Sequence, residues 1–123
     1  MAYLNDDVLD DGLQTLTDDT ENLYICSTEP TTFAEASSTY KLGTKASPTV
    51  SAPTNGDASG RKVTVSAISD GTVSATGTAG YFALTDDSES KLLAVQALSS
   101  TQGVTNGNTF TLTEFDITFP DPA

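Results

Sequence analysis

Asp86, Asp87 and Glu89 stand nearest to chemistry in this chain, three carboxylates grouped in the run Asp86-Asp87-Ser88-Glu89-Ser90. Two uses suit such a group. Ca²⁺ takes six to eight oxygen ligands, drawn from alternating loop positions and closed by a bidentate Glu. A pair of carboxyls flanking a scissile bond can hydrolyse a glycoside. No Asp-x-Asp-x-Asp-Gly pattern accompanies the run, so a solvated polar loop is preferred over calcium at Asp86, Asp87 and Glu89, and no cofactor is expected. The chain has no His, which removes Ser-His and Cys-His nucleophiles and His-bound metals together. Its single Cys26 excludes an intramolecular disulfide. Lying in the apolar run Leu23-Tyr24-Ile25-Cys26, that thiol reads as buried and inert. Gly77-Thr78-Ala79-Gly80 lacks the Lys and the strand-to-helix setting of a phosphate loop and reads as a turn. The residues therefore describe a protein that is not an enzyme.

The elements that would position these groups are mostly strands. Asn5 is suited to cap a helix carrying Leu9, Leu13 and Leu16 on one face, with Asp6, Asp7, Asp10 and Asp11 on the other. Gly12 costs about 1 kcal/mol relative to Ala and favours an early end. A strand follows over Asn22 to Ser27, then a capping box at Thr32–Glu35 opening a helix from Phe33 to about Leu42, with Gly43 as its terminator. Ser47 to Pro53 reads as an edge strand and Thr54 to Gly60 as a loop.

From Lys62 to Phe119 the pattern becomes short apolar/polar alternations rich in Ser and Thr, the signature of antiparallel sheet. Asp70-Gly71 predicts a type I′ hairpin and Asn106-Gly107 a second one. Leu92 to Leu98 is apolar at both parities and predicts a strand buried on both faces. Phe110 and Leu112 share one parity while Phe115, Ile117 and Phe119 take the other. Both sets can face a core only if the chain slips near Thr113–Glu114, where it crosses between two sheets. Aromatics in the sheet read as core, whereas Tyr3, Tyr24 and Tyr40 fit either core or interface.

Charge is strongly one-sided. Nine acids and no base precede Lys41, and the remaining residues hold eight acids against five bases, so the net of −12 divides as −9 and −3. So acidic a surface repels phosphate backbones, which excludes nucleic acid as a direct partner. It gives solubility and a field that steers toward a basic surface. No run approaches the roughly 20 apolar residues of a membrane span. The opening Met1-Ala2-Tyr3-Leu4-Asn5-Asp6-Asp7 lacks the basic and apolar regions of a secretory signal, so synthesis in a cytoplasm is expected.

Ile68-Ser69-Asp70-Gly71-Thr72-Val73-Ser74-Ala75-Thr76-Gly77-Thr78-Ala79, Leu92-Leu93-Ala94 and the stretch from Val104 to Leu112 resemble small structural proteins of tailed bacteriophages. The opening Met1 to Asp6 and the segment Glu29-Pro30-Thr31-Thr32 are similar to the same group. The resemblance implies a virion component made in the host cytoplasm, a cement or decoration protein on the capsid exterior that staples neighbouring major capsid subunits. It implies no catalytic residues.

Together these readings predict a mainly β chain, an antiparallel β-sandwich or jelly-roll-like domain over residues 21–123, preceded by a helical arm over residues 1–20. Tyr3, Leu4, Leu9 and Leu13 are the expected contact residues of that arm. The partners expected are the major capsid protein and further copies of the chain, a trimer included. The alternative function is a carbohydrate- or receptor-binding module of a phage tail or fibre, which calls for exposed aromatics on one sheet face.

Overall fold

In the computed structural model, which describes residues 6–56 and 60–119 (side chains of 6–11 and of Phe119 excepted), the chain is mainly β and wholly antiparallel. A helix, α1 (Asp6–Asp19), leads into strands β1 (Asn22–Cys26), β2 (Lys41–Ala46), β3 (Thr54–Asn55), β4 (Arg61–Val65) and β5 (Ile68–Val73), with a second, short helix between β1 and β2. Strands β6 (Gly77–Asp86), β7 (Lys91–Val104), β8 (Thr109–Leu112) and β9 (Phe115–Phe119) complete it. A curled six-stranded sheet runs in the order β7-β6-β1-β2-β5-β8, and a three-stranded sheet in the order β3-β4-β9. The arrangement is sandwich-like, as the alternation predicts.

The main core fills the space between the sheets. Leu23 and Ile25 of β1, Phe82 and Leu84 of β6, Val63 and Val65 of β4 and Phe110 of β8 are all buried there. Leu13 and Leu16 of α1 join the same cluster, at 0% and 7% exposed. The leucine stripe thus packs as its spacing dictates, and Gly12 does not end the helix, which continues to Asp19. Because its second half is welded to the core, this segment is part of the body rather than an arm standing clear of it.

The predicted slip near Thr113–Glu114 is present. β8 pairs with β5 in the large sheet and β9 with β4 in the small one, and the two intervening residues belong to neither. The change of sheet lets Phe110 on one side, and Phe115 and Ile117 on the other, all reach the core.

Two predicted turns are corrected. Asp70 and Gly71 lie inside β5, and β4 does not pair with β5 at all. Gly71 is there for space: a Cβ on it would sit 2.3 Å from the Phe110 ring. Gly43, expected to terminate a helix, lies in β2 for the same reason, with a Cβ 2.7 Å from the Thr72 carbonyl and 3.0 Å from Phe110. The two glycines are the floor of a slot for one aromatic ring, and a glycine in a strand commonly marks such a close approach. Likewise Gly77 to Gly80 opens β6 and is not a turn.

The short helix expected over Phe33 to about Leu42 is present over residues 33–39, its last five residues, Glu35–Thr39, in π-helical form and closed by Tyr40 N–H donating to the Glu35 carbonyl at 2.8 Å. Thr32 Oγ1 accepts from Glu35 N–H at 3.1 Å, and the Glu35 carboxylate accepts chiefly from Thr31 N–H and O–H, with a weaker bond back to the Thr32 backbone. A box whose carboxylate is shared with Thr31, followed by Ser37, Ser38 and Thr39, does not carry helix as far as Leu42. The expected edge strand over Ser47 to Pro53 reduces to a bridge between Val50 and Val65, and the expected loop after it contains the two-residue β3.

Candidate functional site

The acidic run forms the β6–β7 hairpin turn, where Ser90 takes the left-handed conformation at φ 54°. Two of its carboxylates, Asp86 and Asp87, are engaged with the protein itself. Tyr24 O–H donates to Asp87 Oδ2 at 2.6 Å, and Thr85 O–H to Asp87 Oδ1 at 2.5 Å. Burial pushes the Asp87 carboxyl up, but the hydrogen bonds from Thr85 and Tyr24 outweigh it and hold the group below its ordinary value. Burial, reinforced by the bond to Asp87, pushes the Tyr24 phenol well above its own. Glu21, which accepts from Ser88 N–H at 2.6 Å and Ser88 O–H at 2.7 Å, is held low by those bonds. Asp86 is raised by burial and accepts from Glu89 N–H at 3.3 Å. These bonds tie β1 to the hairpin. Among the described residues no three Cys, Asp or Glu side chains are gathered so as to hold a metal, and Asp86, Asp87 and Glu89 do not form such a group.

A second feature lies on the outer face of the six-stranded sheet. Tyr24, Cys26 and Ala83 are buried there under Ala36, with Tyr40, Tyr81, Leu92 and Val95 packed around them and half-exposed. Cys26 is fully buried, and burial pushes its thiol up to about 11. The inert-thiol reading holds. Lys41 stands 6.0 Å over the Tyr24 ring. Lys45 pairs with Asp70 and Lys62 with Asp116, each at 3.0 Å, and Arg61 donates to Asn55 at 2.6 Å. Four of the chain's five cations are thus turned onto the chain's own groups, leaving its outward field acidic.

The third feature is a seam. β7 and β8 are the two outermost strands of the large sheet, and they meet along one groove and one side-chain bond. Asn106-Gly107 does make a turn, with Gly107 at φ 91° and Asn108 N–H donating to the Thr105 carbonyl at 3.0 Å. The predicted hairpin is corrected, because the strands it joins pair with β6 and β5 and not with each other. The Gln102 side chain spans the gap, Nε2 donating to the Thr111 carbonyl at 3.0 Å. Beside that bridge β7 bulges: Ala79 pairs with Gln102 and Tyr81 with Ala97, so Gly80 alone faces residues 98–101. Bulge and sheet crossing together frame a groove of about 510 Å³, floored by Phe82 and Phe115, whose ring centroids are 4.1 Å apart at 38°. Its rim is Ser, Thr and Gln, and among the described residues Glu114 is its only charged lining residue.

Leu92 to Leu98 is a strand, but not one buried on both faces. β7 is 14 residues long, and only Val104 in it is buried. Leu93, Ala94 and Leu98 pack on the inner core and Leu92 and Val95 on the outer cluster, while the strand's free side is an open margin. The expected contact residues fare differently. Leu13 is fully buried in the core and presents no surface. Tyr3, Leu4 and the side chain of Leu9 lie outside the described residues. The groove was not read from the sequence, although the parity change at Thr113–Glu114 marks one of its walls. Among the described residues no helix is long and apolar enough to cross a membrane. Compared with family profiles, curated proteins and solved structures, the chain matches none.

Proposed function

We propose that this chain is a non-enzymatic structural protein of a virion, a capsid decoration or cement protein that binds the exterior of the shell and bridges neighbouring major capsid subunits. The observation that carries this reading is the margin β7. Strands average five or six residues, and β7 has 14, with no Pro and a single charge, Lys91, at its first position. Natural sheets blunt free edges with charges, prolines, bulges or brevity, because unpaired N–H and C=O groups recruit other chains. A margin of this length, blunted only by Lys91 and by the irregularities in its pairing with β6, is one that a neighbour covers.

The outer strip beside it supplies the apolar part of the contact. Tyr40, Tyr81, Leu92 and Val95 are half-exposed together, and Tyr is enriched at interfaces because one ring combines apolar area with a hydrogen-bonding end. Burying area across a boundary between shell subunits opposes their separation, and many copies act in parallel. The acidic field directs the strip toward a basic partner surface.

The test is sedimentation of particles from the native source through a density gradient, with the chain followed by mass spectrometry. Co-migration with filled capsids at a fixed ratio to the major capsid protein is expected. Recovery only in the soluble fraction, with intact capsids present, overturns the reading. The groove favours the second reading, a carbohydrate- or receptor-binding module, since Phe115 and a hydroxyl-rich rim suit a sugar face. That reading predicts a rise in melting temperature with added glycan.

A further inference from the structure

We propose that the seam between β7 and β8 is a strand-addition site, taking an extended, Lys- or Arg-bearing segment of a partner protein between the two free margins of the large sheet. Both walls are outermost strands. Each margin, away from its one paired neighbour, therefore carries backbone donors and acceptors that no ladder uses, the Thr111 carbonyl being held by Gln102. Paired strands lie about 4.8 Å apart, yet here the gap is spanned by a whole Gln102 side chain reaching the Thr111 carbonyl. β7 and β8 are thus too far apart to pair directly at that bridge, and a strand laid between them could bond to each.

The groove's size and lining fit such a guest. About 510 Å³ lies within the range of formed ligand pockets. An extended segment sends alternate side chains to opposite faces. One set would enter the floor made by Phe82, Leu98 and Phe115, and the other would run along the Ser and Thr rim. Main-chain bonds would give affinity and the floor selectivity, the usual division in strand addition. Charge then selects the guest. Glu114, exposed, is the only charged residue among the described residues lining the groove, and the chain carries a net −12. A basic residue on the inserted segment is attracted and an acidic one repelled. A second copy of this acidic chain fits worse for the same reason.

Both readings draw on the margin of β7, but the capsid reading is tested on assembled particles and this one on the isolated chain, so either can fail without the other. The experiment is a titration of the isotope-labelled full chain, followed by amide NMR, with a blocked peptide of alternating Val and Lys about eight residues long, enough for one strand. Shifts concentrated in residues 98–102 and 111–115 are expected. N-methylation of alternate peptide nitrogens, which removes ladder donors, weakens binding at least about tenfold if the main chain carries it. Glu114→Lys, an exposed change that leaves the core intact, lowers affinity about fivefold, as loss of one rim attraction implies. No shifts at roughly millimolar peptide, or equal binding of the N-methylated peptide, overturns the proposal. So do shifts of the same residues produced only by cello- or chito-oligosaccharides, which make the groove a sugar site.

Discussion

β1 and β7 belong to one sheet, separated only by β6, and they are built to opposite specifications. In β1, four of five residues are buried and both neighbours are paired; in β7, one of 14 is buried and one side is open. Leu23 and Ile25 face the main core, Tyr24 and Cys26 the outer cluster, and nothing of the strand is left for a partner. β7 carries comparable apolar residues yet leaves them half-covered. A stable interior beside an unfinished margin separates what holds this molecule together from what it offers to others.

That division can be broken at its strong side first. Phe110→Ala empties the slot over Gly43 and Gly71 and should destabilise by about 3–5 kcal/mol in urea unfolding. Gly71→Ala forces a methyl into the same ring and should destabilise by about 1–3 kcal/mol. The double variant should be less destabilised than the sum, since the methyl then occupies vacated space; simple additivity would contradict the slot. Leu13→Ala follows at about 2–5 kcal/mol, because the side chain is core. Stability unchanged in that variant would restore the free-arm picture.

Tyr24→Phe removes one donor to Asp87 and should destabilise by about 1.5–3 kcal/mol at neutral pH. Its pH dependence has a definite sign. Asp87 is depressed in the fold, so its contribution is present above the unfolded value of about 3.9 and lost as pH falls through the lower native one. Wild type and variant should therefore converge in acid. Tyr24 is raised, so its contribution is whole below the unfolded value of about 10 and fades as pH climbs beyond it. A wild-type minus variant difference that is flat from acid to alkali would remove Asp87 from the account. Smallest is Ala97→Lys on the exposed margin, which should shift stability by no more than about 0.5 kcal/mol while abolishing docking of the outer strip.

The same contrast explains what was legible in the residues. Local periodicity revealed α1, the buried run of β1 and the crossing at Thr113–Glu114, because parity along a strand is a local property. Asp70-Gly71 and Gly43 misled, since a glycine that makes a turn and one that makes room look alike until its distant neighbour, Phe110, is known. Leu92 to Leu98 misled differently. Apolar residues at both parities signal two covered faces, and both faces of β7 do pack, but its margin leaves them half-exposed. The groove depends on curl and bulge together, which no single segment encodes.

Amide hydrogen exchange, read strand by strand in the free chain and again on the assembled particle, tests the central claim most directly. β1 amides should be protected in both states. The β7 amides that point away from β6 should exchange quickly in the free chain and slow sharply on assembly. Protection of β7 equal to that of β1 in the free chain, or no change in β7 on the particle, would contradict the account.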